Sequence, residues 1–219
     1  KRFTQIQMRG GSFGYFTPAL RHWQKLGDNT RLSVDANYLR ADGSYPFSLK
    51  NGSLVTEEKR INSDVESWQG EVNFFHTFQD DSELSAKAYY YKSERGLPGA
   101  VILYNSASDE RLWDENYFAQ ARYKKVFSSK WSLQAQGKYN YSWNKYEDLG
   151  PQYTGGKQTD TNRQKEYYLS ASALYRPIDW LTFSLSQDGA INKLHTNGLN
   201  SPEPTRYTAL TALNARIQT

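Results

Sequence analysis

The stretch "WSLQAQGKYNYSWN", residues 131 to 144, alternates without a break. Its odd positions carry Trp131, Leu133, Ala135, Gly137, Tyr139, Tyr141 and Trp143. Its even positions carry Ser132, Gln134, Gln136, Lys138, Asn140, Ser142 and Asn144. A period of two marks a strand whose two faces meet different surroundings. A helix would scatter the same residues around its circumference. Strands in soluble domains commonly run to about 5–6 residues, so this one is long for a small soluble sheet. It is long enough for the roughly 9–11 tilted residues that cross a bilayer.

The pattern recurs. Leu84, Ala86, Ala88 and Tyr90 oppose Ser85, Lys87, Tyr89 and Tyr91, and Leu32, Val34, Ala36 and Tyr38 oppose Arg31, Ser33, Asp35 and Asn37. Ten antiparallel strands are predicted, over 2–9, 13–25, 30–41, 64–78, 83–94, 114–127, 131–146, 164–176, 180–194 and 206–218. The first two alternate least well. Short turn-forming clusters at 26–29, 79–82, 128–130 and 177–179 take turns with long connections at 42–63, 95–113, 147–163 and 195–205. Antiparallel strands put alternate connections at opposite ends. The short turns therefore share one rim and the long loops the other, an asymmetry typical of outer-membrane barrels. Tyr90, Tyr141, Trp143 and Tyr167 fall toward the long-loop end, and Phe78, Phe127, Trp131 and Tyr175 toward the short-turn end. Two such aromatic girdles mark the two membrane interfaces.

Composition agrees with this reading. Hydrophobic residues make up only 37% of the chain, yet aromatics reach 15%, with 17 Tyr and 6 Trp. A disordered chain would lack the aromatics. A barrel with a wet interior reconciles the two figures, because half of each strand faces water. No stretch approaches about 18 apolar residues, so no transmembrane helix is expected. Cysteine is absent, which removes disulfides and thiol chemistry. The 27 basic and 23 acidic residues are interspersed without a basic run, and no nucleic-acid partner is expected.

Strand parity puts Asp35, Glu71, Lys87, Arg122, Lys138 and Arg176, with Lys124 and Glu166, on the lumen-lining face. The 95–113 connection, "RGLPGAVILYNSASDERLW", holds an apolar patch that suits a ligand, a partner or the loop's own small core. Its substrate-binding candidates are Leu97, Pro98, Tyr104, Asn105 and Trp113. Asp109, Glu110 and Asp114 make a calcium site conceivable, since calcium takes oxygen ligands, although no EF-hand spacing is present. A hydrated acidic rim is the plainer reading of the same residues. His22, His76 and His195 lie in different strands without metal-ligand spacing, and no catalytic group is expected.

Specific segments carry a resemblance. "GGSFG" (10–14), "LGDNTRLSVDANYLRADGSYPF" (26–47), "YYYKSERGLPGAV" (89–101) and "RLWDENYFAQARY" (111–123) resemble the first barrel strands of TonB-dependent outer-membrane receptors. The similarity is greatest to the cobalamin (vitamin B12) receptor branch of Bacteroidetes-type bacteria. "SERGLPGA" is the distinctive part, whereas "GSFG" and "LGDNTR" mark the class and not the ligand. The resemblance implies a barrel of about 22 strands around a plugged lumen, with residues 1–219 forming a partial barrel of its first ten or so strands. It implies as partners the outer-membrane lipid, a plug domain of the same receptor, TonB through an N-terminal region ahead of the plug, and a surface lipoprotein. Substrate would bind to extracellular loops. A siderophore or haem receptor is the alternative within the class. A ten-stranded outer-membrane barrel enzyme is the alternative outside it.

Overall fold

The computed structural model describes residues 2–101, 108–199 and 203–218. Twelve strands follow in order: β1 (Arg2–Gly10), β2 (Phe16–Lys25), β3 (Thr30–Ala41), β4 (Pro46–Asn51), β5 (Leu54–Lys59) and β6 (Val65–Thr77). They continue with β7 (Glu83–Leu97), β8 (Glu110–Val126), β9 (Trp131–Leu149), β10 (Lys157–Ile178), β11 (Leu181–Thr196) and β12 (Thr205–Ile217). Ten of them form one antiparallel sheet in the order β1-β2-β3-β6-β7-β8-β9-β10-β11-β12. Each strand pairs with its neighbour along the chain once the β4–β5 hairpin is set aside. The sheet is open: β1 and β12 are its edges and do not pair with each other.

One register runs across all ten strands. Gln5, Arg21, Asp35, Glu71, Tyr89, Phe118, Asn140, Glu166, Asn192 and Arg206 are paired in turn. The next residue on each strand gives a second row: Thr4, His22, Val34, Val72, Ala88, Ala119, Tyr139, Tyr167, Ile191 and Tyr207. Directly paired residues share a face, so the first row lies on a polar face and the second on an apolar one. A slip of one residue anywhere would mix the two, and none occurs among these pairs. The register shifts only between Tyr175 and Ile178, where Pro177 has no N–H to offer the ladder.

No hydrophobic side chain is buried among the described residues; the buried ones are Ser82, Ser93 and Asn192. Among the described residues nothing packs against the apolar face, neither a helix nor the small β4–β5 sheet. Its large residues are left open, with Leu169 69%, Trp68 53%, Leu185 49% and Trp131 48% exposed.

Two aromatic belts border this face. Trp131 stacks on Tyr175 at the short-turn end, ring centroids 4.2 Å apart. Tyr117 stacks on Tyr141 at 4.7 Å toward the long-loop end, with Tyr90 paired beside Tyr117. Trp131 and Tyr141 lie on one strand, separated by about 33 Å at ~3.3 Å per residue. Tilted by ~40°, that length gives a band of about 25 Å, the height of the apolar belt of an outer-membrane barrel.

The 42–63 connection, expected as a plain loop, contains the β4–β5 hairpin. Gly52–Ser53 closes it, with Gly52 at φ +62° in the first turn position, as a two-residue hairpin turn requires. Four strands outrun their expected ends: β7 reaches Leu97, β8 begins at Glu110, β9 reaches Leu149 and β10 begins at Lys157. Backbone pairing continues beyond the belt because each strand still has a partner there.

Candidate functional site

The residues that parity groups on one side stand together on the polar face of the sheet. Asp35 accepts from Arg21, Glu71 pairs with Lys87 at 2.9 Å, and Lys138 pairs with Glu166 at 3.4 Å. Glu71 also accepts from Asn73 at 2.7 Å. Arg122 lines a hollow of about 340 Å³ with Lys87, Gln120 and Lys138, and has no ion-pair partner among the described residues. A neighbouring hollow of about 390 Å³ lies over Gln7, Arg21, Asp35, Asn37 and Glu71. Arg176 sits at the short-turn rim, where its amide donates to the Lys130 carbonyl at 2.8 Å. Sequence alternation gave no hint of Arg21, which lies on the weakly patterned β2. It also missed the stacked pair Tyr89–Phe118, at 5.1 Å, whose rings stand on the polar face with the Lys138 ammonium 5.4 Å from Phe118. The pairing of β7 with β8 brings these two rings together.

The second part of the site is a clasp at the long-loop rim. The segment 60–64, which leads from the hairpin into β6, grips the end of β7 and the start of β8. Arg60 donates to the Gly99 carbonyl at 2.6 Å. Asn62, held at φ +51°, donates its amide to the carbonyls of Ser108 (2.6 Å) and Glu110 (2.7 Å). Asp64 accepts from both terminal nitrogens of Arg111, and its carbonyl accepts the Gly96 amide at 2.9 Å. Glu94 takes a further bond from Arg111 Nη2, also at 2.9 Å. Arg111 holds the Asp64 carboxyl below its usual range by hydrogen bonding, partly opposed by burial. The clasp holds the distinctive "RGLPG" run, residues 95–99.

The loop candidates do not converge. Leu97 pairs with Glu110 on the polar face, whereas Trp113 pairs with Lys145 on the opposite face. The Lys145 ammonium lies 4.4 Å from the Trp113 ring centroid, a cation–π contact on the outside of the sheet. Leu97, Glu110 and Trp113 stand on strands and not on a loop, which corrects the sequence reading, whereas Asp114 is on a strand as expected. Pro98 follows β7 directly and is half-buried. Tyr104 and Asn105 lie outside the described residues.

The acidic candidates are also spread out. Glu110 and Asp114 share β8 at four residues' separation, about 13 Å at ~3.3 Å per residue. Asp114 pairs with Arg95 at 3.1 Å, and Glu110 lies near the Tyr146 phenol. Burial, reinforced by the Glu110 carboxylate, pushes that phenol up to about 12. Asp109 is exposed beyond the strand. Among the described residues no three acidic or histidine side chains stand close enough to hold a metal ion. The histidines are on the apolar face, bonded to Thr4 (His22), Thr30 (His76) and Glu203 (His195).

The arrangement joins a wide polar wall of largely paired charges, an uncovered apolar face and a clasped rim. No protein family and no curated protein matches the chain by sequence. Among solved structures, the chain is similar to the siderophore receptor PiuA from Acinetobacter baumannii, with a TM-score of 0.67 at 10% identity. The match covers 99% of this chain and 38% of that one, so this chain spans well under half that receptor's length. At such identity the likeness is one of fold: an antiparallel sheet of β-barrel type, open at both edges in this chain.

Proposed function

We propose that the chain is part of the β-barrel wall of an outer-membrane uptake receptor of the TonB-dependent class. One observation carries the reading: an uncovered apolar face about 25 Å tall between two aromatic belts, with no buried hydrophobic residue behind it. In water each square ångström of that face would cost about 25 cal/mol. In a bilayer the cost vanishes. The open edges fit the same reading. Unpaired backbone in lipid is prohibitive, so β1 and β12 must each pair with a further strand.

The polar face then lines the lumen. Ion pairs such as Lys87–Glu71 and Lys138–Glu166 are 25–34% exposed per side chain, and both signs of charge occur across the wall. A plug seated there would meet hydrated contacts that water can replace one at a time. That suits a plug displaced by force delivered through TonB.

For the ligand, the resemblance of "SERGLPGA" favours cobalamin. A siderophore is the second reading, favoured by the name of the structurally similar receptor. Both are large, with polar and apolar edges, and both suit recognition at the clasped rim. Isothermal titration of the full protein in detergent with cyanocobalamin and with ferric siderophores, each with and without calcium, decides between them. Saturable cobalamin binding in the micromolar range or tighter supports the first reading. Siderophore binding alone replaces it with the second. Recovery of the protein in a soluble fraction overturns both.

A further inference from the structure

Outward-facing cations at the long-loop rim are mostly compensated. Lys92 stands directly opposite the carboxylate-bearing Glu115 in the ladder. Arg111 is held by Asp64 and Glu94, and Lys145 by Glu147 at 2.8 Å. The β10–β11 sector breaks this rule. Lys165 stands directly opposite Lys193, and Arg163 directly opposite His195. All four are exposed on the apolar side of the sheet, one step beyond Tyr167 and Ile191. His195 has Glu203 at 3.1 Å. Arg163, Lys165 and Lys193 have no carboxylate partner among the described residues.

Directly opposed like charges in a strand pair are destabilising. Lys165 and Lys193 are such a pair, and Arg163 opposite His195 lies beside them, with Cβ atoms ~5 Å apart within each pair and ~7 Å between the pairs along the strand. Below them the surface is apolar. Tyr167 is 46%, Ile191 37% and Leu169 69% exposed. Beside Leu169, Gly189 leaves open space where a side chain would stand. A dense positive patch over an open apolar strip is complementary to one kind of molecule: an amphiphile with an anionic head and acyl chains.

We infer that Arg163, Lys165, Lys193 and His195 bind the phosphate-bearing headgroup of a membrane lipid, whose chains lie along Tyr167, Leu169 and Ile191. The inference rests on the reading of this face as lipid-facing. The occupant is a lipid and not free phosphate, because the apolar strip continues directly from the cations.

The test is native mass spectrometry of the full protein released from detergent, titrated with bis-phosphorylated lipid A and, separately, with phosphatidylcholine. Lipid A should be retained at least ~10-fold better, with inorganic phosphate failing to displace it. The double variant Lys165→Gln/Lys193→Gln should lose that ~10-fold preference. It relieves repulsion at exposed positions, so it should fold. Lys92→Gln, which removes an outward cation set opposite a carboxylate, should change retention less than ~2-fold. Equal retention of lipid A by parent and double variant overturns the inference, as do equal retention of both lipids and displacement by inorganic phosphate. Carbonate extraction of cell membranes keeps the two proposals apart. A protein that leaves the membrane pellet sinks the receptor reading, whereas a membrane-embedded protein without lipid preference sinks only this site.

Discussion

Arg111 and Asp64 form a two-pronged ion pair, Nη1 to Oδ1 at 3.2 Å and Nη2 to Oδ2 at 2.8 Å, between the entry to β6 and the first turnings of β8. A planar guanidinium can bond both carboxylate oxygens, and an ammonium cannot. Replacing Arg111 by Lys should therefore loosen the clasp. The pair is partly exposed, at 29% and 45% of its side chains, so solvent screening limits the effect to about 1 kcal/mol. The Gly96 amide, bonded to the Asp64 carbonyl, is the reporter. Its hydrogen exchange should speed up roughly fivefold in Arg111→Lys, and amides in mid-strand β9 should not change.

The same pair makes the clasp acid-sensitive. Arg111 depresses the Asp64 carboxyl in the folded state. The stabilisation is therefore complete above the ordinary aspartate range near ~3.9 and is lost as pH falls through the lower, folded value. Proteolysis of the 60–64 segment by pepsin, followed across the acid range, should rise as that value is passed. Asp64→Asn should raise cleavage at the upper end of the acid range, where the parent clasp is still held, and flatten the profile. A profile unchanged by Asp64→Asn would assign the acid effect to other groups.

Gly96 is needed for space and not for backbone freedom. A Cβ there would run into the backbone carbonyl of Asn62, which is fixed by the clasp. Gly96→Ala should cost about 1–3 kcal/mol of local stability, as overpacking does. Gly70, on the apolar face of β6, has nothing near its missing Cβ. Gly70→Ala should be neutral or slightly stabilising, because glycine in a strand costs roughly 0.5–1 kcal/mol relative to alanine. Hydrogen exchange at 62–64 and 96–97 separates the two variants.

The sheet was legible because its two faces meet different media. Alternation alone placed Asp35, Glu71, Lys87 and Lys138 on one side and Tyr90, Tyr141 and Trp131 on the other, as the register shows. Strand ends were not legible. Past the aromatic belt both faces are polar, so the pattern fades while backbone pairing goes on. That is why Trp113 and Glu110 read as loop residues although β8 carries both. Gly52–Ser53, a two-residue Gly-Ser turn between Leu49 and Leu54, was a usable hairpin signal. The clasp had none. Asp64 and Arg111 meet only because β6, β7 and β8 lie side by side and the hairpin returns over their ends. Likewise, no spacing rule pairs Lys165 with Lys193, since that depends on the length of the β10–β11 turn.

Charge placed at different heights on the apolar face reports the medium it meets. Leu169 lies in the middle of the band and is 69% exposed; Leu149 lies at the long-loop end of β9 on the same face and is 49% exposed. On a water-facing surface, an arginine at either position would change stability by no more than about 0.5 kcal/mol. Against lipid the cost depends on depth. Leu169→Arg should destabilise by about 2–4 kcal/mol, the midplane value, and Leu149→Arg by about 0–1 kcal/mol. Equilibrium guanidinium unfolding of the full protein in phospholipid vesicles measures both. Equal, small effects at the two heights would mean that water covers this face, and the membrane assignment would go with them.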